Sequence, residues 1–157
     1  MRSLLPALAV SLALCASPAL AGPADQAFLA KLAGTWTGAG TITGDEKGSV
    51  DCKLTLSGSD KVNFRGLCDA GKFGPQDYSG VLTYDEKTGK YLARSNGQTV
   101  VGVKSGSSVV FTSKMKTMAG TGNSIMKLST STISIDVDLV RSDTGEKLKS
   151  HLNFKKS

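Results

Sequence analysis

The sequence predicts an all-β protein: an antiparallel up-and-down barrel of about 8–10 strands, with a short N-terminal helical turn, behind a cleaved signal peptide. Three observations carry this. Short runs of alternating apolar and polar residues fill the chain from Thr35 onward. Clusters of Gly, Ser, Asp and Asn interrupt them every 8–12 residues or so, the spacing of antiparallel hairpins. No helical period is sustained beyond Leu32.

The first element is the export signal, residues 1–21. Arg2 gives it a positive start, and an apolar stretch follows from Leu4 to Leu14. That stretch falls short of the roughly 20 residues a membrane-spanning helix needs and fits the apolar core of a secretory signal. Pro18 breaks the signal helix, and Ala19 and Ala21 are the small residues that signal peptidase reads, placing the cut between Ala21 and Gly22. Cys15 follows Leu14, where a lipoprotein signal would carry a small residue. The expected compartment is therefore the periplasm or the outside of the cell, with residues 22–157 as one domain and no transmembrane helix.

A helical turn around Asp25 to Leu32 leads into the strands. The first strand reads Thr35 to Thr43, the second Ser49 to Ser57 and the third Lys61 to Ala70. The fourth and fifth flank Asp85-Glu86-Lys87-Thr88-Gly89, and the sixth and seventh flank Lys104-Ser105-Gly106-Ser107. The eighth lies near Asn123 to Ser129, the ninth is Thr132 to Arg141, and the tenth is Glu146 to Lys155. Asp143-Thr144-Gly145 turns the last hairpin, with Gly supplying the positive φ.

The second and third strands fix a register. Val50, Cys52, Leu54 and Leu56 share one face, as do Val62, Phe64, Gly66 and Cys68, because side chains alternate with period two. A hairpin centred on Asp60 sets Leu56 opposite Phe64 and Cys52 opposite Cys68. Opposed residues at a non-hydrogen-bonded pair lie about 4.5 Å apart at Cα, within reach of a disulfide. Two cysteines in an exported domain are an even count, so a Cys52–Cys68 bridge is expected. They lack Cys-x-x-Cys spacing and a neighbouring His, which argues against redox or metal work.

Composition excludes several classes. The formal net charge is +6, but the basic residues are scattered and aromatics make up 6% of the chain, so the stacking platform of a nucleic-acid binder is missing. Aromatic girdles are absent and the polar strand faces carry Lys and Asp, which sets the apolar face inside rather than against lipid. Asp136 and Asp138 are neighbours on one polar face, a pairing that a solvated strand explains. No nucleophile elbow, phosphate loop or zinc cluster is present, so no enzyme, metal or cofactor is expected.

At Leu32-Ala33-Gly34-Thr35-Trp36 a helical turn runs into Gly-x-Trp at the start of the first strand. This resembles the calycin group: lipocalins, fatty-acid-binding proteins and nitrobindin-like barrels. The stretch Gly34-Thr35-Trp36-Thr37-Gly38-Ala39-Gly40 also resembles the opening of nitrobindin-like proteins, and the chain is similar to small secreted proteobacterial proteins with a Trp-x-Gly-x-Gly start and two cysteines. The resemblance implies that Trp36 packs across the closed end of a barrel. Gly38 and Gly40 share the Trp36 face, where missing side chains let the strand coil or leave space for a ligand. Leu148-Lys149-Ser150-His151-Leu152 resembles the last strand of nitrobindin-like proteins, which implies haem ligation by His151. Yet His151 alternates with Lys149 and Asn153, on the polar face.

The function these readings favour is a non-enzymatic binding module that holds a small apolar ligand inside the barrel, lined by Trp36, Leu54, Phe64 and Phe111. The alternatives are an envelope protein-interaction module, such as a protease inhibitor using Gly22 to Gln26 as a mobile arm, and a haem protein. Export is open to direct measurement. Intact mass of the protein recovered from a bacterial envelope fraction should match a chain beginning at Gly22, and one beginning at Met1 would remove the signal peptide.

Overall fold

The computed structural model describes residues 21–116 and 120–157. The expected signal peptide, with Cys15, lies outside the described residues except for its last residue, Ala21. The elements are a helix α1 (Ala21–Leu32), then β1 (Gly34–Gly44), β2 (Gly48–Ser57), β3 (Lys61–Asp69), β4 (Pro75–Asp85) and β5 (Lys90–Ser95). There follow β6 (Gln98–Ser105), β7 (Ser108–Lys116), β8 (Gly120–Leu128), β9 (Thr132–Arg141) and β10 (Lys147–Lys156). A short 3-10 turn, Gly71–Phe73, separates β3 from β4.

Each strand pairs antiparallel with its sequence neighbours, and β1 pairs with β10 to close a ten-strand barrel. The architecture is therefore a barrel and not a sandwich. The expected register of the second hairpin is met, with Leu56 opposite Phe64 and Cys52 opposite Cys68. The two sulfurs are bonded, and their Cα atoms stand 4.0 Å apart. Burial alternates along the strands, as β2 illustrates: Val50, Cys52, Leu54 and Leu56 are buried and the residues between them are exposed, while Leu67, Val101, Val103, Ile125 and Val140 are apolar residues left on the outer face.

Helix α1 begins four residues earlier than the sequence reading places it. Pro23 fits a first helical turn, where its missing N–H leaves no bond unmade, and Ala24, Ala27 and Ala30 favour the helix. Asp25, Phe28, Leu29 and Leu32 fall on one face at helical spacing. Leu29 and Leu32 are fully buried, and Phe28 meets Tyr91 edge to face at 5.6 Å. The helix thus seals one end of the barrel. Directly after it, Trp36 is fully buried and donates its indole N–H to the Leu32 carbonyl at 3.0 Å.

This corrects the expectation of a mobile arm over Gly22 to Gln26, since those residues are helical and tied down. Gln26 donates to Glu86 at 2.9 Å. Asp25, only 4% exposed, accepts from the Tyr91 hydroxyl and from the Lys104 ammonium, each at 2.7 Å. A buried carboxylate is tolerated because two donors replace its water. Burial pushes the Asp25 carboxyl up, but the hydrogen bonds from Lys104 and Tyr91 outweigh it and hold the group below its ordinary 3.8. Burial, with Asp25 beside it, pushes the Tyr91 phenol upward, so it remains a donor.

A carboxyl lowered in the folded state stabilises the fold above its unfolded pKa, and that contribution disappears as pH falls through the folded value. Asp25→Asn should therefore cost about 2 kcal/mol near neutral pH. The gap from wild type should close in acid, as pH falls through the lowered folded value of Asp25. Urea unfolding across pH checks both; a gap independent of pH would mean that the Asp25 charge is not what holds the helix.

Candidate ligand-binding cavity

Four inward glycines stand opposite aromatic residues in the ladder: Gly38 with Phe154, Gly66 with Tyr78, Gly80 with Phe64 and Gly102 with Phe111. In each pair a Cβ on the glycine would run into the facing ring. The rings lie flat over bare backbone, a way of fitting large side chains inside a small closed sheet. Phe154 thereby occupies the room beside Gly38. Of the two readings of the glycine beside Trp36, strand coiling or ligand space, the room at Gly38 is taken by this ring.

Packing is uneven along the barrel. The half beneath α1 is solid, with Trp36, Leu56, Val62, Tyr91, Val109 and Phe154 nearly or fully buried. The far half, bounded by the β1–β2, β3–β4 and β9–β10 turns, holds a cavity of about 680 Å³. Its wall is largely apolar: Ile42 and Val50 from the first two strands, the Cys68 end of the disulfide, and Val137, Leu139 and Leu152 from the last two. Tyr78, Gln76 and Ser150 bring neutral polar atoms to the wall. Burial pushes the Tyr78 phenol up to about 12, so it keeps its proton at any physiological pH. Its oxygen lies 3.8 Å from Cys68 Sγ, which as a disulfide sulfur can only accept.

The mouth carries charge. Lys72 on the 3-10 turn pairs with Glu46 at 3.3 Å and lies over the Phe73 ring at 5.2 Å. Arg141 pairs with Asp143 at 2.6 Å and Glu146 at 3.1 Å. Lys149 pairs with Asp138 at 3.4 Å. The bond from Arg141, outweighing what desolvation there is, holds the Asp143 carboxyl low. Among the described residues no group of three or more His, Cys, Asp or Glu is placed to hold a metal. Nor is any helix there long and apolar enough to cross a membrane.

Of the residues singled out as ligand contacts, Trp36, Leu54 and Phe111 are buried in the core and Phe64 is packed against it. None of the four is on the cavity wall. His151 stands on the outer face, its Nδ1 2.5 Å from Asp136 Oδ1 and its Nε2 2.8 Å from the Asn153 amide. Both ring nitrogens are engaged outside the barrel, so this imidazole cannot reach a group held in the cavity. Asp136 and Asp138 share that outer face and are occupied by His151 and Lys149. The sequence reading missed Tyr78 and Arg141. The signal was available: residues with inward parity at the strand ends away from α1 must line whatever opens there.

These features define a closed antiparallel ten-strand barrel, the fold that the calycin resemblance implies, plugged by a helix at one end and hollow at the other. No protein-family model matches the chain, and no curated protein matches it. Among solved structures it is similar to the S-type phycobiliprotein lyase CPES from Guillardia theta. The identity is 9% and the TM-score 0.58, over 82% of this chain and 90% of that one. It is also similar to Rv2717c from M. tuberculosis, at 13% identity and a TM-score of 0.57, over 87% of this chain and 98% of that one. At these identities the likeness shows the fold. The first of these proteins is called a lyase, and this corrects the expectation that the chain is not an enzyme. That expectation rested on absent sequence motifs, and a barrel cup can act on a bound molecule through side chains that no motif marks.

The disulfide both staples β2 to β3 and lines the cavity, across a sequence separation of 16 residues. Replacing Cys52 and Cys68 together by Ser should lower stability by about 3 kcal/mol through the freed unfolded chain. Urea unfolding of the double variant beside the wild type measures this; equal midpoints would leave the bridge without a stabilising role.

Proposed function

We propose that this chain is an exported barrel whose open half takes up a small molecule with a substantial apolar part. The observation that carries the reading is the cavity, whose 680 Å³ lies inside the range of about 300–1,000 Å³ typical of small-molecule sites. Its wall of aliphatic side chains suits an apolar body, and its few neutral polar groups suit one oriented function on that body. In this reading Trp36, Leu54, Phe64 and Phe111 form the packed support behind the cavity floor. Export to the periplasm or the medium is supported by the Cys52–Cys68 bridge, because such bonds persist in oxidising compartments.

Two measurements test the reading. Native mass spectrometry of protein isolated from its own envelope fraction should show a retained small molecule. Val137 is half-buried on the cavity wall, so Val137→Trp should fill the cup and abolish uptake of an apolar fluorescent probe. A thermal melt within a few degrees of wild type would show that the variant remains folded. A probe bound as well by the folded variant, with nothing carried by the native protein, would overturn the reading.

A further inference from the structure

We infer that the ligand of this cup is an uncharged molecule, an apolar chain or ring bearing one hydrogen-bond acceptor, and that Tyr78 donates to that acceptor. The inference rests on the ligand-cup reading above and goes beyond it in naming the chemical class.

Charge at the mouth is already matched. Lys72, Arg141 and Lys149 are the cations bordering the cavity, and each is paired with a carboxylate. Their partners are Glu46 for Lys72, Asp143 and Glu146 for Arg141, and Asp138 for Lys149. Each of the three cations thus has a carboxylate partner, and of those partners Glu46 is itself on the cavity lining. Exposed pairs of this kind add little stability, but they cancel the field that would draw an anion into the cup. A ligand carboxylate would have to displace an acidic side chain or lie beside one, and like charges at close range repel.

The interior is neutral. Inside the charged rim the polar atoms belong to Tyr78, Ser150 and Gln76, set among aliphatic side chains and a disulfide. A charge buried there without a counter-ion is costly, whereas a carbonyl or ether oxygen needs a single donor. The Tyr78 hydroxyl is that donor. Burial keeps it protonated, and the sulfur 3.8 Å away is a weak acceptor that a ligand oxygen would outcompete.

The test compares methyl dodecanoate with dodecanoate ion near neutral pH. Both are used below their aggregation thresholds, in competition with an apolar fluorescent probe, on wild type, Tyr78→Phe and Val137→Trp. The ester should bind at least about tenfold more tightly than the ion. Tyr78→Phe should weaken the ester about fivefold and leave the ion unchanged. Val137→Trp should abolish uptake of the ester. An ion bound as tightly as the ester overturns the neutral-ligand inference and leaves the cup standing. An ester insensitive to Tyr78→Phe overturns the role of that hydroxyl. If neither molecule binds, or if Val137→Trp binds the ester as wild type does, the inference falls together with the cup.

Discussion

The antiparallel pairing of β1 with β10 is the constraint on which everything inside this protein depends. Closure leaves no free sheet edge and fixes a bounded interior that inward side chains must share. Near the helix the sharing is settled by complementarity, with rings lying across glycine backbone on the facing strand. Phe64, Phe111 and Phe154 reach into the middle of the barrel in this way, and Tyr78 does so from β4. Toward the other end the lining is mostly aliphatic, with Tyr78 and Phe73 among it, and the side chains leave the lumen open between them. The hollow is therefore a result of where side-chain volume is placed along the strands.

The helix belongs to the same account. It closes the solid end because Leu29, Leu32 and Phe28 need cover, and because Asp25 finds Tyr91 and Lys104, 66 and 79 residues away in sequence. A carboxylate removed from water holds its place only where donors converge on it. Asp25 therefore works as a locating pin, setting the angle at which the chain enters β1. Trp36 then follows where its indole reaches the Leu32 carbonyl and stays dry.

Much of this was legible because alternation has a period of two and a slip of one residue would expose a whole face. The ninth strand, with Ile133, Ile135 and Val137 against Ser134 and Asp136, could be bounded from the sequence to the residue. The Cys52–Cys68 register followed from the same rule. Other features were harder. Asn96-Gly97, a two-residue turn with both φ values positive, joins β5 to β6 and was overlooked as a hairpin signal. The start of β4 around Gln76 and Tyr78 was left undefined, which hid the cavity's phenol. Which barrel end is solid depends on contacts between distant segments, such as Phe154 over Gly38, that no local window contains. Aromatic residues were for this reason assigned to a ligand when they serve the core.

The topology also bears on how such a chain is made. A ribosome delivers β1 at the beginning and β10 at the end, so one side of β1 stays unpaired through nearly the whole of synthesis. An open strand edge of this kind invites pairing with the wrong chain. The inward face of β1 is poor in side chains that could collapse prematurely, since Gly38 and Gly40 sit at its centre. Gly38, which later receives the Phe154 ring, thus keeps the inward face of the waiting strand free of bulky apolar side chains until its partner arrives.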